Sequence, residues 1–549
     1  MTKRTILFAA PPIVAAALLY AQAQQSAPPN ADTAARAAAP APGFMFGRGG
    51  GGWLAPRGDA QRSGSIKEDA LLSPETMARP GFELQWKHKL ENSQRRIGTL
   101  TAGVSGNGGG LNPAPVVMAD SGNNIYGVEV DTGGSVWTRH FEASTAGGTA
   151  SCPAGLTAAP VRSTTLTQAA TGSAGARGMG RGPYLSGVGT PGQGVPPELM
   201  EGGMGGPGSG GRGPGGFGGP GGPGAPGGPG RAPGPPPGFG GGARGAVQTA
   251  YVITSDGLVH TLGVHEGKET KKSARFLPAG ASVSDVIAIN DVVYASTTNS
   301  CGGAEKGVWS IDLASEAPVA HEWKAGSAPV AGFAFSRAGT LYVTTGDRLI
   351  ALDSKALVEK ESRTAEGAAF ATGPVVFTYH EHELIAAMSK DGRILLFSAD
   401  QLGPLTSSAA TNTSKTWSPP ALAIWEDDDH NRYLVAPAAS AKGTIITFKL
   451  TGNPSKPELQ QLWTAGDLGT PSAPIVVNGV VFALSTGTAA SPAVLYAFNG
   501  ASGTELWNSG KAISAYVQST PIWSSNAQVY VATHDGTLYA FGFAMDRHL

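Results

Sequence analysis

The chain has 549 residues, of which only 14% are charged, and its formal net charge is −1 at pH 7. This balance gives no electrostatic support for binding to nucleic acid or to an anionic membrane surface. Glycine (81 residues) and proline (41 residues) are abundant, which favours turn-rich β structure together with low-complexity segments.

Residues 1–23 have the features of a signal peptide. Lys3 and Arg4 give a positive start, Ile6–Tyr20 is an apolar run, and Ala21-Gln22-Ala23 is a cleavage pattern. The alternative is a membrane anchor, but the run is shorter than a membrane-spanning helix and contains two prolines. We therefore expect an exported protein, periplasmic or secreted, with no transmembrane segment in the mature chain.

Three features are predicted between the signal peptide and the first repeat. Residues 24–52 are rich in Ala, Pro and Gly and are predicted to be a flexible lead-in before ordered structure begins at Trp53. Ser73 and Pro74 are suited to cap and begin a short helical turn. Residues 82–90 (Phe82 to Leu90) form a predicted strand that contains Trp86.

A small or polar residue, a proline and an aliphatic residue recur at the start of predicted strands. Neighbouring copies are about 45 residues apart, which is the length of a four-stranded propeller blade. Proline suits this place because it cannot donate to a strand ladder and is found at the first residue of strands and on edge strands. The copies are centred on Pro115, Pro160, Asp285 in place of a proline, Pro329, Pro374, Pro420, Pro474 and Pro521.

Eight copies predict an all-β fold, an eight-bladed β-propeller of four-stranded antiparallel blades over residues 53–549. One interval between copies is much wider than the others, and residues 163–245 account for it as a disordered Gly/Pro-rich insert in blade 2. The last copy lacks a fourth strand, whereas the strand at 82–90 has no blade. We expect this early strand to complete the last blade and close the ring, since open sheet edges favour aggregation.

Hairpin signals and aromatic residues fit the same architecture. Asn478-Gly479 is a strong signal for a two-residue hairpin, and Asn290-Asp291 and His382-Glu383 stand at comparable positions. A tryptophan recurs in the fourth-strand position and is expected to pack between neighbouring blades. These tryptophans are Trp86, Trp137, Trp323, Trp463 and Trp507.

This repeat resembles the pyrroloquinoline-quinone (PQQ) type of propeller repeat. The closest match is Leu495-Tyr496-Ala497-Phe498-Asn499, followed by Gly503 and Trp507, and Ile350-Ala351-Leu352-Asp353 is a partial match. The stretch from Trp53 to Gly64 resembles the segment before the first blade in quinoprotein dehydrogenases and their non-catalytic relatives. The resemblance covers residues 53–549 outside the insert and implies the fold more strongly than the function.

The resemblance implies two alternative functions. The first is an exported, non-catalytic scaffold that binds another envelope protein, or a small ligand, at the propeller funnel. The second is a periplasmic oxidoreductase that uses PQQ with calcium and acts on an alcohol or a sugar. Enzymes of the family have an adjacent cysteine pair over the quinone, a Glu and an Asn at the calcium, and an Asp base. None of these can be matched here, so no catalytic residue is carried over and the scaffold is favoured.

Three groups of residues have side chains that could bind a ligand or a metal ion. Asp285 is a weak candidate for cofactor binding, because its phase in the repeat predicts a position near the central funnel; a solvated loop carboxylate is the alternative. Asp427, Asp429 and their neighbours loosely resemble a calcium loop but lack its downstream Gly and Glu. His380 and His382 would share one face of a strand, but no third ligand is evident, so no metal site is predicted.

Cys152 and Cys301 are the two cysteines of the chain. Cys152 precedes the first strand of blade 2, and Cys301 follows the second strand of blade 3. These two kinds of loop lie on the same face of a propeller, so we expect a disulfide; two free thiols are the alternative. The residues are too far apart for a CxxC redox motif, and no CxxCH haem motif is present.

Overall fold

The computed structural model describes residues 53–544 apart from 68, 70, 91–114, 145–148, 150–151, 153–154, 167–247, 366, 412–417, 439–442 and 519–521. The predicted signal peptide, the lead-in and the predicted insert beyond Leu166 lie outside the described residues. Within the described part, no helix combines the length and the apolar character needed to cross a bilayer.

Eight β-sheets are formed, which confirms the predicted eight-bladed, all-β propeller. We number the blades along the chain. Blade 1 has strands Val116–Ala119, Asn124–Val128 and Ser135–His140, and blade 2 has Thr249–Ile253, Leu258–Gly263 and Glu269–Arg275. Blade 3 has strands Val283–Ile289, Val292–Thr297, Gly307–Asp312 and Ala320–Lys324. Blade 4 has strands Val330–Phe335, Thr340–Thr345, Arg348–Asp353 and Glu359–Thr364.

In blades 3 to 7, successive strands of the chain are neighbours in the sheet and pair antiparallel. Blade 5 has strands Val375–Tyr379, His382–Met388, Ile394–Ser398 and Pro404–Ser407, and blade 6 has Ala423–Glu426, Arg432–Ala438, Thr444–Asn453 and Lys456–Ala465. Blade 7 has strands Ile475–Val477, Val480–Ser485, Val494–Asn499 and Glu505–Asn508. Blade 8 has strands Trp523–Ser525, Gln528–Ala532, Thr537–Phe543 and Phe82–Lys89. Two short strands pair in parallel with first strands: Ser163–Thr164 with blade 3 and Ser65–Ile66 with blade 7.

The local signals in the sequence are mostly confirmed. Helix Pro74–Met77 begins at the N-cap Ser73, which forms a capping box with Thr76. Asn478-Gly479 and Asn290-Asp291 are two-residue turns with positive φ at both positions, the geometry that suits the twist of a hairpin. The prediction for His382-Glu383 was wrong, because the turn lies at His380-Glu381 and His382 begins the next strand.

Tryptophans of the fourth strands join neighbouring blades by a repeated contact. For Trp86, Trp137 and Trp463, the indole N–H donates to a backbone carbonyl of the next blade, and the ring covers a glycine there. A Cβ on Gly133 would lie 2.4 Å from the Trp86 ring, so no larger residue fits under the indole. The hydrogen bonds are Trp86 to Val130 (2.8 Å), Trp137 to Val264 (2.8 Å) and Trp463 to Gly500 (2.9 Å).

A β-bulge precedes these tryptophans in the outer strand. The pairing register shifts by one residue at Gln85, Val136 and Leu462, each directly before its tryptophan. A bulge bends and twists a strand and can re-aim the following side chain. Here it directs the indole to the next blade, and it also distorts an exposed sheet edge that could otherwise pair with another chain.

Strand Phe82–Lys89 pairs antiparallel with Thr537–Phe543 and is the outer strand of the C-terminal sheet. From this position Trp86 makes with blade 1 the same contact that Trp137 makes between blades 1 and 2. One hydrophobic cluster also combines buried side chains of blades 7, 8 and 1 around Trp86. We retain the prediction that this strand holds the ring closed.

In blades 1 and 2, some segments form a different strand from the one that the repeat predicted. The bulge before Trp137 shows that Ser135–His140 corresponds to the fourth, outer strand of the other blades. Counting back from it, Val116–Ala119 corresponds to their second strand. Pro115 therefore does not mark the first strand of blade 1, whereas Pro329, Pro374, Pro420 and Pro474 precede the first strands of their blades. In blade 2, Val161, which follows the landmark Pro160, forms an isolated antiparallel bridge to Tyr251. Ser163 and Thr164, which the sequence assigned to the insert, pair with blade 3 instead.

We predict that Trp86→Ala destabilises the fold by about 3–5 kcal/mol, the usual cost of removing a buried tryptophan. The physical reason is the loss of both the indole hydrogen bond and the packing between blades 8 and 1. Thermal unfolding of Trp86→Ala should be compared with that of Trp137→Ala, which removes the matching contact between blades 1 and 2. A clear loss for Trp137→Ala with none for Trp86→Ala would contradict a closing role for this strand.

Candidate functional site

Residues 53–67, which we call the axial segment, run along the inner edges of the blades. Backbone amides of blades 4, 5, 6 and 7 donate to its carbonyls, and so does Arg162 beside blade 2. A segment of this length reaches five blades only where their first strands converge, which is the propeller axis. The donor and acceptor pairs are Arg162–Leu54, Phe335–Ala60, Val376–Gln61, Ile424–Ser63, Val476–Gly64 and Asn478–Ile66, at 2.8–3.0 Å.

Arg62 is the most extensively bonded side chain of the axial segment. Its guanidinium lies 2.8 Å from Asp285 Oδ1, and only 4% of the Arg62 side chain is exposed. The guanidinium also donates to the carbonyls of Phe333 and Val286 in blades 4 and 3. Burial raises the pKa of Asp285, and the adjacent guanidinium opposes that rise. The predicted position of Asp285 at the funnel is thus observed, with the carboxylate bonded to this chain's own arginine.

Arg57 and Asp59 are two further charged residues of the axial segment. Arg57 donates to the carbonyls of Pro474 (2.9 Å) and Leu422 (2.5 Å), which joins the segment to blades 7 and 6. Burial lowers the pKa of Arg57 to about 10, which still leaves the guanidinium protonated at neutral pH. Asp59 accepts from the backbone N–H (2.9 Å) and hydroxyl (2.6 Å) of Ser63, and burial raises the pKa of Asp59.

A cleft of about 660 Å³ opens beside the axial segment, between the first hairpins of blades 4, 5 and 6. Its floor is formed by alternate residues of the segment, and its walls by the two inner strands and turns of blades 5 and 6. Mixed charges and buried aromatic rings line it. The floor residues are Asp59, Gln61, Ser63, Ser65 and Lys67, and the principal wall residues are Arg337, Phe377, Tyr379, Glu381, Glu383, Trp425, Glu426, His430 and Arg432.

Glu426 is the centre of an ion-pair network in this cleft. Its carboxylate lies 3.2 Å from Lys67 Nζ and 3.0 Å from His430 Nδ1, and it also pairs with the Arg432 guanidinium. Burial acts to raise the pKa of Glu426, but the bonds to His430, Arg432 and Lys67 outweigh it and the pKa is lowered. The network joins the axial segment to blade 6.

A hydrogen-bond relay crosses the cleft floor. Ser65 Oγ donates to Ser63 Oγ (3.1 Å), and Ser63 Oγ donates to Asp59 Oδ2 (2.6 Å). Gln61 Nε2 donates to the carbonyl of Leu166 at 2.7 Å. The relay turns the Ser65 hydroxyl hydrogen toward Ser63, so the Ser65 oxygen keeps its two lone pairs as acceptors.

The other residues weighed as ligand sites have structural roles. Asp427 accepts from the backbone N–H groups of Asp429 and Asn431, the Asn431 amide and the Tyr433 hydroxyl, so its oxygens are used within the hairpin turn. His380 lies in a turn and His382 in a strand, so the expected shared strand face does not exist. Among the described residues, no group of three His, Cys, Asp or Glu side chains is arranged to hold a metal ion.

Cys152 and Cys301 form a disulfide, with their Cα atoms 5.4 Å apart, which confirms the predicted pairing. The bond links the loop before blade 2 to the 3₁₀ turn Cys301–Gly303 of blade 3. Both cysteines are therefore structural, and they lie on the face opposite to the first-hairpin turns that border the cleft.

Sequence reasoning missed the axial role of Arg57 and Arg62 and the whole Glu426 network. One signal was available: Asp59, Gln61, Ser63, Ser65 and Lys67 alternate as polar residues along a segment that precedes the first repeat. Polar residues at alternate positions are typical of an extended chain with one polar face, although Arg62 falls between two of them here. It does not reveal which surface that face meets.

Comparison with known proteins gives matches of two kinds. The family model described as outer membrane protein assembly factor BamB matches residues 303–542. Quinohemoprotein alcohol dehydrogenase from Comamonas testosteroni has a similar fold, with a TM-score of 0.53 at 11% identity over 91% of this chain and 82% of that chain. No curated protein matches the chain.

Two further solved structures are similar. A europium-containing methanol dehydrogenase has a TM-score of 0.51 at 9% identity, over 90% of this chain and 98% of that chain. BamB from Moraxella catarrhalis has a TM-score of 0.38 at 16% identity, over 55% of this chain and 81% of that chain. At these identities, the likeness to the two dehydrogenases is one of fold.

We predict that Asp285→Ala destabilises the protein by about 3–5 kcal/mol, because it leaves the buried Arg62 charge without its partner. Chemical denaturation of the purified variant would measure the loss. Asp285→Asn, which keeps the size and an acceptor oxygen, serves as the matched variant and should lose less. An unchanged stability for Asp285→Ala would show that the ion pair does not hold the axial segment.

We also predict a pH-dependent effect of Glu426→Gln. A lowered folded pKa means that the Glu426 charge adds stability above its ordinary pKa of 4.5, and that this contribution disappears as the pH falls through the lower folded value. The difference in thermal midpoint between wild type and Glu426→Gln should be full at about pH 6 and shrink toward about pH 3.

Glu381→Gln is the control for this experiment, because Glu381 is exposed in the same cleft. Its effect on the thermal midpoint should be small over the whole pH range. A Glu426→Gln effect that is independent of pH would contradict the ion-pair network.

Proposed function

We propose that the chain, an eight-bladed propeller whose residues 303–542 match the model of an outer membrane protein assembly factor, is an exported, non-catalytic binding scaffold of the cell envelope. Its binding surface is the cleft beside the axial segment, together with the hairpins of blades 4, 5 and 6 that border it. The single observation that carries this proposal is the occupation of the propeller axis by the chain's own residues 53–67.

The axial residues do not fit a planar quinone. Asp59 and Arg62 are buried there and Arg57 is half-buried, and their charged groups are bonded to this chain's carbonyls, Ser63 and Asp285. Inserting a cofactor at this level of the axis would separate Arg62 from Asp285. Removing one partner from a buried ion pair costs about 3–5 kcal/mol, which binding of the quinone would have to offset.

The cysteine pattern supports the same proposal. The two cysteines are used in a bond between residues 152 and 301, which links two loops rather than forming a small ring of adjacent residues. A disulfide between such distant loops is also typical of proteins that fold in an oxidising compartment. Together with the predicted signal peptide, it supports export.

The cleft has the character of a recognition surface. It is bordered by exposed turns rather than by a closed cavity, and binding residues are commonly found on loops that a rigid scaffold positions. The family model matched by residues 303–542, described as an outer membrane protein assembly factor, covers the blades that form this cleft. That match supports an envelope protein as the partner.

We predict that the purified chain does not retain PQQ. The mature protein, residues 24–549, would be incubated with PQQ and calcium and passed through a gel-filtration column, and the protein fraction examined for quinone absorbance. Dye reduction with alcohols and aldoses would be measured on the same fraction. A quinohemoprotein alcohol dehydrogenase freed of its quinone is the control that should recover it.

Neither quinone absorbance nor substrate-dependent dye reduction is expected in the fraction that contains this chain. Quinone bound in an equimolar amount, with dye reduction by an alcohol or a sugar, would overturn the proposal in favour of an oxidoreductase.

A further inference from the structure

The first strands of blades 4 to 7 each have one edge without a partner strand in their own blade, and this edge faces the propeller axis. In an antiparallel pair, the N–H and C=O groups of every second residue point away from the partner strand. At the axis, one amide of this kind from each blade donates to the axial segment. Within a strand, the amide two residues further along therefore points to the same edge. The four amides bonded to the segment are those of Phe335, Val376, Ile424 and Val476.

In blades 4 and 7, the amide two residues further along is already bonded within the protein. The amide of Arg337 donates to the Glu383 carboxylate at 2.9 Å. The amide of Asn478 donates to the Ile66 carbonyl of the axial segment at 2.9 Å. These two blades thus complete their inner edges with acceptors from this chain.

The corresponding amides of blades 5 and 6 belong to Thr378 and Glu426, and both residues line the cleft. Each lies two residues beyond an amide that donates to the axial segment, so its N–H points away from the partner strand. In blade 6 the next amide, that of Asp427, donates across the hairpin to the Asn431 carbonyl (3.1 Å), as this alternation requires. Neither the Thr378 amide nor the Glu426 amide has an acceptor within the part of the chain that the structure describes.

The axial segment itself shows how donors in this arrangement can be satisfied. Its Gln61 carbonyl accepts from blade 5, and its Ser63 carbonyl accepts from blade 6. Amides of these two neighbouring blades are therefore matched by carbonyls two residues apart on an extended chain, a separation of about 6.5 Å. A second extended chain, lying on the cleft side of the axial segment, can accept from Thr378 and Glu426 in the same manner.

The side chains of the cleft leave recognition mainly to the main chain of a ligand. Four carboxylates and three Lys or Arg side chains line the cleft, so its charges nearly balance. Glu426 is already paired with Lys67 and with an arginine of its own blade. The exposed residues Arg337 and Glu381 are opposite in sign. The Ser65 hydroxyl oxygen, which keeps its lone pairs, adds an acceptor beside the two amide donors.

We propose that the cleft binds an extended peptide segment of a partner protein through the main chain of that segment. Two of its carbonyls, two residues apart, accept from the amides of Thr378 and Glu426, and one of its N–H groups donates to Ser65 Oγ. Peptides that bind an open sheet edge in this way gain their affinity from main-chain hydrogen bonds. This inference rests on the proposed scaffold function and names the way in which the partner is recognised.

The test is selection of random displayed linear peptides on the immobilised mature chain, followed by fluorescence anisotropy with the best recovered peptide. Thr378→Pro removes the amide hydrogen at an edge position, where proline is tolerated. It should weaken binding by about three- to tenfold, the effect of losing one main-chain hydrogen bond. Thr378→Ala changes the same side chain but keeps the amide, so it should lose less affinity than Thr378→Pro.

Thr364→Pro is the matched control for the proline substitution. Thr364 is exposed at the end of the outer strand Glu359–Thr364 of blade 4. Its amide also points away from the neighbouring strand, because the next amide, that of Ala365, donates across the ladder to Asp347. This variant should leave the affinity within about twofold, as expected for an independent position. The thermal midpoints of both proline variants would verify that they fold.

Hydrogen exchange of the wild-type chain is a second measurement, which needs no substitution. Without peptide, the amides of Thr378 and Glu426 should exchange faster than those of Val376 and Ile424, which are bonded to the axial segment. A saturating amount of the recovered peptide should slow exchange at Thr378 and Glu426 and leave the Thr364 amide unchanged.

Several outcomes would overturn the inference. These are no peptide recovered above uncoated resin, equal losses for Thr378→Pro and Thr364→Pro, or unchanged exchange at Thr378 and Glu426 with peptide bound. Displacement of the recovered peptide by a synthetic peptide of residues 24–52 would assign the open edge to the chain's own lead-in instead. None of these results would bring quinone into the gel-filtration fraction, so failure here is distinguishable from failure of the proposed function.

Discussion

The hydrogen bonds between the axial segment and the first strands of blades 4, 5, 6 and 7 are the contact on which the rest of the structure depends. First strands of a propeller are edge strands, and their unpaired amides at the axis need acceptors. Residues 53–67 supply those acceptors with their own carbonyls. In doing so they carry Asp59 and Arg62 into buried positions and Arg57 into a half-buried one, where each charge must be bonded. Asp285, in place of the landmark proline, provides the partner for Arg62.

This constraint also determines where the cleft lies. Because the segment pairs with the strands through its backbone, its successive side chains lie on opposite faces, and alternate residues share one face. Ser63, Ser65 and Lys67 lie on one such face and form the floor of the cleft. The Glu426 network then fixes Lys67 against blade 6. One extended segment thus both pairs with the blades at the axis and forms the floor of the cleft.

The period of the blades could be predicted from the sequence because each blade repeats the same local requirements. A proline begins an inner strand, a two-residue turn such as Asn478-Gly479 sets a hairpin, and a glycine lies under the tryptophan of the preceding blade. These are short-range rules, so one sequence can display them. The disulfide of Cys152 and Cys301 could be predicted for the same reason, since the phase of the repeat placed both loops on one face.

The errors have local causes. The landmark at Pro115 has the right residues, yet it precedes a strand that corresponds to a second strand, so residue type alone did not fix the phase. At His380-Glu381, two residues that are not typical of such turns adopt positive φ, which moved the predicted turn by two positions. The residue types at these two positions therefore gave no indication of that backbone geometry.

The site could not be predicted because its parts are distant in sequence and share no motif. Arg62 and Asp285 are 223 residues apart, and Lys67 and Glu426 are 359 apart. Each pair is brought together by the curvature of the whole ring. The repeat specifies the blades and leaves the axis to be filled by the segment that precedes them. Here that segment forms ion pairs at the axis, so under the proposed function recognition of a ligand is left to the groups that face outward from it.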